Sequence, residues 1–111
     1  MYTVNGVGSV TSKVTGGTII GNHVRRIGKI IELSFRVNNF NPVSGNSGLF
    51  GIVPESTIPS NNYQFLCCGV YNNIAGSIMY FNINTNGEIR SETGQYTITT
   101  VAILNLVYFK A

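Results

Sequence analysis

The sequence predicts an all-β chain, an antiparallel β-sandwich of jelly-roll-like type with about eight or nine short strands. Three observations predict it. Thirteen glycines and many β-branched residues are spread over 111 positions. No stretch of a dozen residues sets apolar side chains at 3.6 spacing without a Gly or Asn break. What recurs instead is alternation of apolar and polar residues between turn signals at regular spacing, the pattern of a sandwich or barrel.

Residues 1–17, rich in Gly, Val, Thr and Ser, read as an N-terminal strand or neck segment ahead of one β-sandwich domain at 18–111. Thr18–Ile27 is a strand, and Gly28-Lys29 is a tight turn favouring a hairpin. In Ile31–Val37 the alternation is clearest: Ile31, Leu33, Phe35 and Val37 line a core, while Glu32, Ser34 and Arg36 face away. Gly48–Val53 is a short apolar strand ended by Pro54, and Glu55–Asn62, with Pro59, is a loop because proline removes ladder donors. Tyr63–Tyr71 and Ser77–Asn84 are strands joined by a loop at Asn72–Gly76. Thr85-Asn86-Gly87 is a strong turn signal before a short strand at Glu88–Ser91. After a turn at Thr93-Gly94-Gln95, Tyr96–Thr100 and Val101–Phe109 finish the chain with a bend between them.

The length is that of one domain, able to bury roughly two thirds of its unfolded surface. With 43% hydrophobic residues and mean hydropathy +0.18, the chain is not a disordered tail. Only 10% of residues are charged and Asp is absent, against ~25% in typical soluble domains. Polarity comes from amides and hydroxyls, with Asn38, Asn39, Asn41, Asn46, Asn61, Asn62, Asn72 and Asn73 in segments read as loops. Such a surface suits hydrogen bonding to neutral ligands, extracellular exposure, or partial coverage in an oligomer. The net charge of +3 and pI near 9.1 rest on few groups. Arg25, Arg26 and Lys29, the one basic cluster, read as a solvated hairpin tip, without the aromatic interleaving of a nucleic-acid surface.

Residues for catalysis are scarce. Glu32, Glu55, Glu88 and Glu92 make no glycosidase pair and no calcium loop. His23 reads as a partly exposed strand histidine rather than a catalytic base. Cys67 and Cys68 are adjacent, cannot join each other along a strand, and read as two small buried hydrophobes. Gly45–Gly48 lacks the spacing of a nucleophile elbow, and Gly6-Val-Gly-Ser lacks a dinucleotide fingerprint. The expectation is a non-enzyme with no metal and no cofactor. No basic-then-apolar leader opens the sequence and no apolar stretch suits a spanning helix, so neither a signal peptide nor membrane insertion is expected.

Binding needs only shaped polar and aromatic surface. Phe40 and Asn41, Asn62 and Tyr63, and Tyr71, Asn72 and Asn73 bring aromatic rings and amides together in loops, the two residue types that meet sugar faces and hydroxyls. The competing reading makes the asparagines turn formers and packs the aromatics beneath them. In Val101–Phe109 both alternating sets are largely apolar, as they are in Tyr63–Tyr71. Such strands are either central between two sheets or half covered by a symmetry mate, and the default mate is a second copy of the chain.

Four segments in order carry a resemblance. His23-Val-Arg-Arg-Ile-Gly-Lys-Ile-Ile-Glu-Leu-Ser-Phe-Arg-Val37, Ile52-Val-Pro-Glu-Ser-Thr-Ile-Pro59, Phe81-Asn-Ile-Asn-Thr-Asn-Gly-Glu-Ile-Arg90 and Leu104-Asn-Leu-Val-Tyr-Phe109 resemble successive passages of the C-terminal head domains of phage tail fibres. The likeness runs over residues 18–109. It implies a homotrimeric knob at the virion tail tip, a receptor-binding protein whose partners are host cell-surface glycans rather than nucleic acid. It carries over no catalytic residue and leaves the binding loops as the family's variable part. The alternatives are a purely structural phage or prophage trimerisation or cap domain, and a lectin or cytokine-like jelly roll.

Overall fold

Alternation turns directly into layers. In the computed structural model, which describes residues 4–45, 47–94 and 96–111, Ile31, Leu33, Phe35 and Val37 are buried to within 1% while Glu32 and Arg36 face solvent. Residues 1–3, Asn46 and Gln95, the last two assigned above to loops, lie outside the described residues.

Among the described residues ten strands form: β1 (Val4–Gly8), β2 (Thr11–Ser12), β3 (Gly16–Ile27), β4 (Ile30–Phe40), β5 (Val43–Ser44), β6 (Leu49–Ile52), β7 (Tyr63–Tyr71), β8 (Ile74–Ile83), β9 (Glu88–Ser91) and β10 (Thr97–Phe109). Every ladder is antiparallel, in the order β1-β3-β4-β10-β7-β8-β9-β6-β2, with β5 on β10. The all-β antiparallel sandwich expected from the sequence is therefore the fold. The strands beyond the expected eight or nine are the two-residue pieces β2 and β5, too short to alternate visibly.

Three local differences have physical causes. The loop expected at Asn72–Gly76 shrinks to two residues, because Asn72 (φ 55°) and Asn73 (φ 64°) both adopt the left-handed region that a type I′ turn needs. Ile74–Gly76 then belong to β8, with a register shift at Gly69/Val70 absorbing the extra residue. The bend expected between Thr100 and Val101 is instead a register shift against β7 between Ile98 and Ala102, inside one thirteen-residue strand. The Glu55–Asn62 loop contains one 3-10 turn, Glu55–Thr57, which Tyr108 ties down by donating its hydroxyl to the Thr57 carbonyl at 2.8 Å.

The sheet curls so that its inner faces meet in one core. Phe50 on β6 packs edge-on against Phe40 on β4, with centroids 5.8 Å apart, and against Phe81 on β8 at 4.8 Å. Both edges of the sheet come from one segment: β1 borders β3, and after Ser9-Val10 the chain crosses to border β6 as β2. At the crossing no strand pairs Val10, and the Asn22 side chain takes that role. Its Oδ1 accepts from Val10 N and its Nδ2 donates to Val10 O, each at 2.7 Å. Asn22→Ala should cost about 2 kcal/mol in a urea titration, one net contribution per lost bond plus the buried Val10 groups left unpaired. Asn22→Asp should cost more, since it sets an acceptor against the Val10 carbonyl. A loss under about 0.5 kcal/mol for both would show that water replaces the amide.

Candidate ligand-binding surface

The antiparallel register sorts the candidate residues onto two ends. Tyr71 lies opposite Ile98 near the start of β10, and Asn72 N donates to the Thr97 carbonyl at 2.7 Å. Asn41 follows the end of β4, where its N–H donates to the Thr15 carbonyl, and β5 pairs Val43 with Ile98. Tyr71, Asn72, Asn73 and Asn41 therefore share one end of the sandwich. Tyr63 opens β7 and Asn62 directly precedes it, about 26 Å away along the strand at ~3.3 Å per residue. There Asn62 Oδ1 accepts from Thr85 N at 3.2 Å, and the Tyr63 ring leans on Tyr108 at 6.0 Å. Phe40 requires a correction. It is 2% exposed, because Asn39 at φ 58° breaks the alternation of β4 and turns Phe40 inward against Phe50, and it offers no ring face to a ligand.

Sequence reasoning missed Tyr96, which it placed at a strand start. Tyr96 is exposed and stands edge-on to Tyr71, with centroids 5.9 Å apart and planes at 87°. The signal available was an aromatic beside a Gly-containing turn. The end carrying this pair is built from residues 14–18, 38–44, 70–76 and 96–100, and none of these segments holds a charged residue. Within the described residues, the side-chain amides of Asn41, Asn72 and Asn73 form no hydrogen bond, although the turn needs the asparagine backbones. Among the described residues there is no pocket and no cluster of metal ligands.

The charged groups lie elsewhere. His23 Nε2 is 3.7 Å from Glu32 Oε1, and Arg25 Nη1 is 3.9 Å from the same oxygen, all half exposed on the outer face of β3 and β4. Ser34, across from His23, donates its hydroxyl to Asn105 Oδ1 at 3.0 Å rather than to the imidazole. At the Thr85–Gly87 turn, Arg90 and Asn84 donate to Glu88 and hold its carboxyl below the usual range.

The two cysteines part company. Cys67 points inward, but Cys68 is exposed, which corrects the reading of both as buried. Strict alternation forces the split, and the outer face of β7 is uncovered in this chain. Burial, then the neighbouring Cys68, pushes the Cys67 thiol from 9.0 to about 12, so it is no nucleophile at neutral pH. Burial likewise pushes the Tyr108 hydroxyl from 10.0 to about 12. Both groups hold protons more tightly folded than unfolded. Their contribution is complete below about pH 9 and is lost as pH rises through 9–12. Thermal melts should show stability lower at pH 11 than at pH 8 by on the order of 3 kcal/mol, with Tyr108→Phe flattening the slope above pH 10. A flat profile between pH 8 and 11 would contradict this.

No family model matches the chain, and no curated protein matches it. Among solved structures, the fold is similar to that in the crystal structure of the receptor binding protein (gp15) of Listeria phage PSA. The TM-score is 0.68 at 18% sequence identity, over 99% of this chain and 67% of that one. At that identity the likeness is one of fold. No helix among the described residues is long and apolar enough to cross a membrane.

Proposed function

We propose that the chain is the receptor-binding tip of a phage tail fibre or tail spike, acting on the virion as a homotrimer that recognises a host cell-surface saccharide without catalysis. In this reading residues 1–17 are the N-terminal strand segment, which supplies both borders of the sandwich that residues 18–111 continue. The fold likeness to a phage receptor binding protein supports the setting. The observation that carries the ligand class is the charge-free end, where the Tyr71–Tyr96 pair stands beside unengaged asparagine amides. Neutral amides exchange hydrogen bonds with sugar hydroxyls without desolvating a charge, and two tyrosines supply rigid, amphipathic area at low entropic cost.

The test is binding of the purified domain to a glycan array, repeated with two variants. Tyr96→Ala removes an exposed ring, and Asn72→Gly/Asn73→Gly deletes both amides while keeping a residue at ease with positive φ. Both variants should retain the parent melting temperature within a few degrees and lose tenfold or more in affinity, about 1.4 kcal/mol. Absence of saccharide binding by the parent chain, or affinity unchanged in both variants, would leave the structural cap domain as the better reading.

A further inference from the structure

The outer face of the sheet is divided. Over β3 and β4 it carries His23, Arg25, Glu32 and Arg36. Over β10, β7 and β8 it carries no charge, since residues 56–87 and 93–109 contain none. Ladder register puts Ile103, Cys68 and Ile78 in one row across these three strands, and Leu66 opposite Tyr80 in the next. Leu66, Ile78, Tyr80 and, further along β10, Val107 are each 56–64% exposed. Together they leave apolar area on the order of 500 Å² in water, at the upper end of what a monomer shows. One partner in a standard interface contributes about 800 Å², so this area is the apolar centre of an interface once polar neighbours are added.

We propose that this face, centred on Leu66, Cys68 and Ile78, is where copies of the chain pack against one another. Charge selects a second copy as the occupant. Copies of a chain of net charge +3 repel one another least across uncharged surface, and this face holds no charge over β10, β7 and β8. The charged half then forms the rim. Arg36 has no carboxylate partner among the described residues, and it adjoins Ile103 across the β4–β10 ladder, where a neighbouring copy's polar edge meets it. Cys68 at the centre reports whether the face is covered.

This inference rests on the homotrimer of the proposed function, and its tests separate the two. Light scattering on a sizing column should give about 36 kDa, three times the 12.0 kDa chain. The double variant Leu66→Glu/Ile78→Lys should elute at one chain mass with unchanged circular dichroism, while Ile20→Lys, exposed but off this face, should stay oligomeric. If the charged variant does not fold, Leu66→Thr/Ile78→Thr serves, β-branched and polar. In the parent oligomer, alkylation of Cys68 should be at least tenfold slower than in the variant. A monomeric parent at the highest concentration reached would overturn both the homotrimer and this surface. An oligomer that survives in the variant, or a Cys68 equally reactive in both, would overturn the surface alone.

Discussion

Gly69→Ala is expected to lower the stability of the domain by about 3 kcal/mol, and Gly69→Val to leave no folded protein at 37 °C. Gly69 sits on the inner face of β7 where two irregularities coincide. The β7–β8 register shifts beside it, and the β10 register shifts between Ile98 and Ala102 on the other side. The β10 backbone is thereby pressed against β7, and a Cβ at Gly69 would collide with the Val101 carbonyl oxygen and the Met79 methyl. Met79 is fully buried and fills the space a side chain would take. A methionine tip can turn aside at modest cost, but a carbonyl fixed in a central strand cannot. Relief requires β10 to move away from β7, which strains ladders on both its sides. The control is Gly21→Ala, where a Cβ meets nothing within 4 Å and φ is not positive. It should be neutral or slightly stabilising, because alanine orders the unfolded chain. Thermal melts should show a loss of roughly 10–20 °C for Gly69→Ala and almost none for Gly21→Ala. Equal melting temperatures for the two would refute the packing argument.

Strands whose two faces differ were legible in the sequence, and strands too short to show a period were not. Tyr63–Tyr71 and Glu88–Ser91 coincide with β7 and β9 because turn residues bracket them, although both faces of Tyr63–Tyr71 are largely apolar. The hairpin at Gly28-Lys29 was equally plain: Gly28 at φ 59° occupies the first position of a two-residue turn, as type II′ requires. β2 and β5 are held by partners distant in sequence, and two residues carry no period. The double apolar pattern of Val101–Phe109 left a choice between a strand covered twice and one with an open face. The ladders decide it for this chain, since Ala102, Leu104, Leu106 and Tyr108 are buried while Val107 and Phe109 stand in solvent.

The ligand-binding surface was less legible than the fold, for a different reason. Loop aromatics and asparagines have one composition whether they face a ligand or a core. Phe40 fell to the core because the left-handed Asn39 shifts the parity set by Val37, and because Phe50 reaches it, which only the curl of the sheet provides. Asn62 and Tyr63 resemble Asn72 and Tyr71 in sequence but sit at the far end, on the 3-10 turn and Tyr108 side. What the structure adds is the charge-free end assembled from four separate segments, a property of no single stretch of chain.

Deleting residues 1–13 is expected to have the largest effect of all, loss of cooperative folding together with association through exposed strand edges. The segment holds both borders of the sheet. β1 pairs Val4, Asn5, Gly6 and Gly8 with Ile27, Arg26, Arg25 and Val24. β2 pairs Thr11 and Ser12 with Ile52 and Gly51, and Lys13 N donates to the Phe50 carbonyl. Between them Val10, 3% exposed, is clamped by the Asn22 amide and lies against Gly51, whose added Cβ would strike it. One segment therefore closes the curled sheet on both sides. Its loss uncovers two edges at once and opens the core beneath Val24 and Phe50. Unpaired edges on β3 and β6 are templates for pairing with another chain. One shorter deletion and one substitution locate the effect. Removing residues 1–8 takes away β1 alone and should leave a weakened but cooperative fold. Replacing Val10 by Asp keeps both strands, but buries a carboxylate at the crossing and should be nearly as damaging as the full deletion. Urea titration followed by circular dichroism reads the cooperativity, and sizing chromatography reads the association. A 1–13 deletion that stays soluble and melts within a few degrees of the parent would show that the curl of the sheet is set by β4, β10 and β7 alone.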